Sequence, residues 1–358
     1  EKLTAFIGTK PKMLLRLLKG MQSGLEGRSD AKPPANWSDV YVGLKSNKTT
    51  AAIALQIAQQ FGDAEAAQQY LTTLRQTNAP LSQRRIALEG LVKQQRNELI
   101  DILPGLLDEP ELRIDAIRAI ASFDHRPLGE LLMSKYASFS TQEKTETVQT
   151  LSTRSSYGKL VVNALKTGEI PKGDIPAYVA RQLRRVVGNG FVEIWGPIDQ
   201  LSGNKAATFK KYKRILTDKA LSKADVRKGL DIFKRTCGAC HKLYGEGGTI
   251  GPEITGANRS NIDYLLDNIV DPSGEIQDDY KMVVITSQDG RTYSGNIAAE
   301  NERQLTLRVI GQEPLTINKS DIQSREETTS SIMPEGLLET MTEQEILDLM
   351  AYLQTKSR

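Results

Sequence analysis

The chain contains two cysteines, three positions apart in Cys237-Gly238-Ala239-Cys240-His241. Three chemistries use a Cys-x-x-Cys pair. A thioredoxin-like dithiol needs a βαβ frame, a structural zinc needs four ligands, and haem attachment needs two thiols that add to vinyl groups beside a histidine that takes the iron. The flanking sequence has no βαβ pattern. With no third cysteine, and with His125 as the other histidine, a zinc set cannot be completed. The residues therefore point to one covalent haem c on Cys237 and Cys240, with His241 as an iron ligand. His125, in Phe123-Asp124-His125-Arg126-Pro127, falls at a break between two helical segments and reads as a surface or capping histidine.

The neighbouring elements must hold this motif in place. Ser222 and Asp225 have the spacing of a capping box, which would open a helix through Val226, Gly229, Leu230 and Phe233 to Cys237. Gly229, Phe233 and Cys237 are four apart and share a face, and the glycine lets another helix approach. Near the C-terminus, Thr342 and Glu345 form a second box, followed by an apolar stripe of Ile346, Leu349, Met350 and Leu353, with Tyr352 placed to meet Gly229 and Phe233. This pairing resembles the class I cytochrome c fold, in which an N-terminal helix crosses a C-terminal one. The resemblance implies that Phe233 covers the haem edge. It also implies that Gly251-Pro252, just past a glycine-rich loop, supplies a carbonyl for the histidine ring N–H. Met333, in Met333-Pro334-Glu335-Gly336-Leu337, would be the sixth iron ligand, and a His241/Met333 pair suits electron transfer. Met282, Met341 and Met350 are rival thioethers, each of which could instead fill a core.

His241 and Met333 lie 92 residues apart, more than a compact cytochrome of this class needs. Residues 280–326 lose helical periodicity and read as strands: Tyr280 to Ser287, Arg291 to Ala298 after an Asp289-Gly290 turn, Gln304 to Ile310, Pro314 to Ile317, and a short strand near Ile322. They predict a small antiparallel β insertion. Residues 221–358 as a whole resemble the haem-binding cytochrome domain of Pirellula/Verrucomicrobium type. The resemblance rests on Cys237 to His241, Gly251-Pro252, Asp271-Pro272-Ser273, Asp289-Gly290-Arg291 and Met333 to Leu337. Such proteins often carry HEAT-like repeats before the cytochrome, and some add a β-propeller of the dehydrogenase kind. This chain shows no propeller pattern, so no catalytic residue is assigned.

The segment before the cytochrome fits that expectation. Residues 1–47 read as a basic amphipathic helix from Lys10 to Lys19 and a Gly/Pro/Ser-rich linker from Gly24 to Ser38. Residues 48–218 read as apolar helices with short polar breaks. Arg85 to Leu91, Asp115 to Ile120 and Thr147 to Leu151 look like copies near a period of 30, each followed by a second apolar stretch: Leu99 to Leu107, Leu128 to Leu132, Leu160 to Leu165. Two helices per unit predict an N-terminal α-solenoid of HEAT-like kind. The chain is thus expected to be mainly α.

Composition is that of a globular protein: 358 residues, 39% apolar, 25% charged and a net charge of +3. The densest basic runs, Lys210 to Arg214 and Arg181 to Arg185, read as solvated helix faces, so no nucleic-acid partner is expected. No stretch has the length of a membrane span. Glu1 does not open a secretory signal, which suggests a removed or omitted segment before it, and attachment of haem c implies a periplasmic or otherwise exported location. Two functions fit. One is an electron-transfer module serving a partner or fused dehydrogenase and a downstream acceptor, a carrier rather than a catalyst by itself. The other is a haem enzyme or ligand sensor, peroxidase-like, with an open or displaceable sixth position at iron.

Overall fold

A proline at the first helical position suits the N-terminus of a helix, where its missing N–H costs nothing, and α1 (Pro11–Leu25) opens this way. It runs six residues past Lys19, into the expected linker. The computed structural model describes residues 11–25, 31–196, 205–274 and 276–356, so the rest of that linker lies partly outside the described residues. The chain divides into two compact units, residues 1–131 and 132–358.

The first unit is helical. After α1 come α2 (Trp37–Lys45), α3 (Ala51–Gln60), α4 (Ala64–Arg75), α5 (Leu81–Lys93), α6 (Leu99–Leu106) and α7 (Arg113–Ile120). Asp63 caps α4 by accepting from the Ala66 N–H. Neighbouring helices pack through small and branched residues such as Ala54, Ile57, Ala58 and Ala66. The buried Arg84 of α5 donates to the Leu74 carbonyl at 3.0 Å and to Glu109 at 2.8 Å, joining three successive segments. Helix α8 (Arg126–Lys135) spans the division, and His125 is half-buried at the turn before it.

The second unit continues with α9 (Thr141–Leu151), α10 (Ser155–Thr167), α11 (Ala177–Val187), α12 (Asn189–Trp195), α13 (Lys205–Ile215), α14 (Asp218–Leu221) and α15 (Val226–Thr236). The six stretches read as repeat copies fall on α5 and α6, α7 and α8, α9 and α10 in turn. A short hairpin, β1 (Lys242–Leu243) and β2 (Glu246–Gly247), precedes α16 (Ile262–Val270). Five antiparallel strands follow: β3 (Lys281–Ser287), β4 (Thr292–Glu300), β5 (Gln304–Val309), β6 (Leu315–Asn318) and β7 (Ile322–Ser331), in the order β6-β5-β4-β3-β7. The chain ends in α17 (Glu343–Leu353). The described residues are thus mainly helical, with the short β1–β2 hairpin and a small five-stranded antiparallel sheet.

The sheet has two covered faces, and β3 shows why. Alternate residues of a strand point to opposite sides. Val283 and Ile285 join Tyr293, Leu305, Leu307 and Ile317 in one core. Met282 and Val284 join Ile250, Ile310 and Ile332 in another, with Tyr178, Ala239 and Cys240 against it. The expected β insertion therefore packs its second face on the Cys-x-x-Cys turn. Its last strand is longer than expected, ten residues ending at Ser331. Helices α9 and α11 are bonded to the sheet and the turn after β5: Gln149 donates to the Ile310 carbonyl at 2.6 Å and Gln182 to the Thr292 carbonyl at 2.8 Å.

Candidate functional site

Helices α15 and α17 frame the motif. Asp225 caps α15 by accepting from the N–H groups of Arg227 and Lys228, so the cap lies three residues later than the expected Ser222, which instead follows α14. The buried Asp348 of α17 accepts from the Asp225 N–H at 2.8 Å, tying the start of one helix to the other. At the crossing, a Cβ on Gly229 would collide with the Asp348 carbonyl and lie 2.7 Å from Tyr352 Cβ. Only a residue without a side chain permits this approach. One turn on, Phe233 packs against Tyr352 with ring centroids 5.5 Å apart. The expected Thr342–Glu345 capping box opens α17.

The motif itself is one helical turn that extends α15. Cys240 and His241 donate their N–H groups to the Cys237 carbonyl at 3.0 and 2.9 Å. Both thiols are free and half-buried. Burial pushes each of them up to about 12, so they are neutral. A dithiol redox pair needs the opposite, a lowered thiol pKa. Among the described residues, no group of three or more His, Cys, Asp or Glu is placed to hold a metal ion.

His241 turns its Nδ1 toward the Pro252 carbonyl oxygen, 2.9 Å away. A carbonyl can only accept, so Nδ1 carries the proton and the lone pair is on Nε2. Burial lowers the pKa of the imidazole, partly offset by the bond to Pro252, which favours the neutral, ligating form. The loop that delivers Pro252 is folded back closely on the motif. Gly251 donates to the Cys240 carbonyl at 2.9 Å, and a Cβ on it would stand 2.9 Å from His241 Cε1. Tyr244 and Gly245, both at positive φ, turn the β1–β2 hairpin that starts the return. Two neutral thiols on one turn, an oriented imidazole with Nε2 unprotonated, and a glycine-lined wall fit covalent haem.

The methionines have different surroundings. Met350 is fully buried in the core between α15, α16 and α17, and Met341 packs against the same core. Met282 is buried in the cluster that touches Cys240. Met333 is half-buried on the loop after β7, its N–H bonded to Ser331 Oγ at 3.1 Å. Lys210 to Arg214 is exposed apart from the buried Tyr212, but Arg181 is 4% exposed and Arg185 pairs with Glu326 at 3.2 Å. The reading of Arg181 to Arg185 as a solvated face therefore fails at Arg181, because the sheet covers that side of α11. Tyr178, which packs against the same cluster as Cys240, and Arg181, which bonds to Ser331, were missed. Their i, i+3 spacing on α11 is the one signal in the sequence that they share a face.

No helix among the described residues is long and apolar enough to cross a membrane. No curated protein matches this chain. Residues 226–357, from the first residue of α15 to just past α17 and including the β insertion, match the family model described as Cytochrome c, and this part of the chain is a haem-binding cytochrome c domain.

Proposed function

We propose that the protein is an exported, periplasmic electron carrier in which residues 221–358 hold one haem c, and that it exchanges electrons with a dehydrogenase, either a partner or a fused domain, and with a downstream acceptor. Cys237 and Cys240 would form the thioethers, His241 and Met333 would hold the iron, and Gly251, Pro252 and Phe233 would line the group. The observation that carries this reading is the bond from His241 Nδ1 to the Pro252 carbonyl, which leaves Nε2 as a lone-pair donor on an imidazole that cannot rotate freely. When bound, the haem supplies a reversible one-electron couple. The protein's own contribution is to fix His241, to keep water from the turn by packing Ile250, Met282 and Ile332 around it, and to present a thioether from the loop at 331–337.

The family likeness to cytochromes of Pirellula/Verrucomicrobium type extends the proposal to the rest of the chain. Residues 1–47 would be a lead-in helix and linker, and 48–218 HEAT-like repeats that space and orient the cytochrome. The alternation of paired helices from α5 to α10 at a sequence interval near 30 supports this.

The test is the absorption spectrum of holo-protein, oxidised and reduced, for wild type and Met333→Ala, with carbon monoxide added to each reduced sample. We expect the near-infrared band of methionine-ligated ferric iron in wild type, its loss in the variant, and carbon monoxide binding in the variant alone. A high-spin wild type that binds carbon monoxide readily would replace the carrier with a haem enzyme or ligand sensor.

A further inference from the structure

Arg181 lies on α11, outside the stretch matched as a cytochrome c domain, yet it reaches into that domain at the segment on which the proposed function depends. The residue is 4% exposed. Nη1 donates to the Ser331 carbonyl at 2.8 Å, Nη2 reaches the Met333 carbonyl at 3.5 Å, and Nη1 also stands 3.7 Å from the Met282 sulfur. Burying a permanently charged guanidinium is unfavourable unless its N–H groups are used. Here three of the contacts that use them go to the Ser331 and Met333 carbonyls and to the Met282 sulfur.

The rest of the loop is already bonded. The Ile332 N–H goes to the Tyr280 carbonyl at 2.9 Å, the Ser331 N–H to Ser273 Oγ at 3.0 Å and the Met333 N–H to Ser331 Oγ at 3.1 Å. Those bonds fix the donors, while Arg181 takes the carbonyls on either side of Ile332. Further along, Lys205 of α13 holds Glu335 at 3.7 Å, so helices upstream of the matched domain grip the loop at two points. The two methionines are treated differently. A thioether is a weak acceptor, and the Met282 lone pair faces a cationic N–H, an environment that repels a second cation. Met333 is held through its backbone, which leaves its sulfur available.

We infer that Arg181 is a positioning residue that selects Met333 over Met282 as the sulfur presented to iron, so that the helical segment before the cytochrome domain sets the sixth ligand. The inference rests on the reading of Met333 as an axial ligand. Loss of these charge-assisted contacts should raise the fraction of molecules with Met333 off the iron by roughly ten-fold.

The experiment compares wild type, Arg181→Ala, Arg181→Lys, Met282→Ala and Met333→Ala as full-chain holo-protein, by near-infrared absorption, carbon monoxide binding to the reduced form and redox titration. Arg181→Ala should weaken the methionine band, admit carbon monoxide and lower the reduction potential. Arg181→Lys, which keeps the charge, should recover part of each. Met282→Ala should leave the band in place. If Arg181→Ala does not accumulate, Arg181→Lys alone is decisive, since a wild-type band, potential and carbon monoxide response in it would overturn the inference. Met333→Ala separates the two levels. If it abolishes the band while the Arg181 variants are silent, the Arg181 inference alone fails, and if it leaves the band intact, the ligand reading fails and takes this inference with it.

Discussion

His241 Nδ1 lies 2.9 Å from the Pro252 carbonyl oxygen, and a Cβ added to Gly251, the residue before Pro252, would stand 2.9 Å from His241 Cε1 and 3.1 Å from Nδ1. Distances that short force the ring or the loop to move. Gly251→Ala should therefore lengthen the bond to Pro252. A donated Nδ1 proton makes imidazole a stronger donor to iron and favours the ferric state, so the variant's reduction potential should rise above that of wild type. Redox titration of the two holo-proteins checks this, and equal potentials would count against an orienting role for Pro252.

Gly229 tests the helix crossing. Alanine gains about 1 kcal/mol of helix propensity over glycine, but here its methyl would meet the Asp348 backbone carbonyl and Tyr352 Cβ. Overpacking of this kind costs about 1–3 kcal/mol, and a backbone obstacle cannot swing aside as a side chain can. Gly229→Ala should lower the denaturant midpoint, with Gly229→Val lowering it further. An alanine variant as stable as wild type would mean that the helices separate easily.

The hairpin between β3 and β4 should contribute to acid stability. Burial would raise the Asp289 pKa, but the Ser287 hydroxyl at 2.5 Å and the Arg291 guanidinium at 2.8 Å more than offset it and hold the carboxyl at about 2. A folded-state pKa below the ordinary 3.8 contributes stability that is complete above that value and is lost as pH falls toward 2. Asp289→Asn should remove this part of the pH dependence between about pH 4 and pH 2. Unfolding midpoints measured across that range would reveal it as a flatter curve.

Covalent attachment can be read without spectroscopy. Cys237→Ala and Cys240→Ala should each keep haem on the polypeptide through the remaining thioether, and the double variant should lose it. A peroxidase-stained denaturing gel distinguishes the three. Haem retained by the double variant would refute attachment at these cysteines.

The parts legible in the sequence were those with short-range signatures. Cys237 to His241, the Thr342–Glu345 box, and Gly229 opposite Tyr352 could be placed because a motif, a cap and a steric requirement each fix position within a few residues. Strand β7 was read too short because most of its residues from Gln323 to Glu327 are exposed polar ones at a sheet edge, and an edge strand carries no alternation of apolar residues to detect. Arg181 was misread for a related reason. Whether a helix face meets water or a sheet depends on a contact 150 positions away at Ser331, and nothing near Arg181 encodes it.

Lys281 at the start of β3 and Ser331 at the end of β7 are paired across the sheet. The whole insertion therefore leaves and re-enters the cytochrome domain at one point. Once the sheet has closed, the 92 positions from His241 to Met333 behave as a connection of about 40, and the entropy of closing a loop grows only with the logarithm of its length. A module hinged at adjacent ends can be gained, lost or exchanged without stretching the frame that holds it. This geometry would let a compact haem domain acquire a sheet, and through that sheet a contact with a separate helical segment, while the order of its own helices stayed the same.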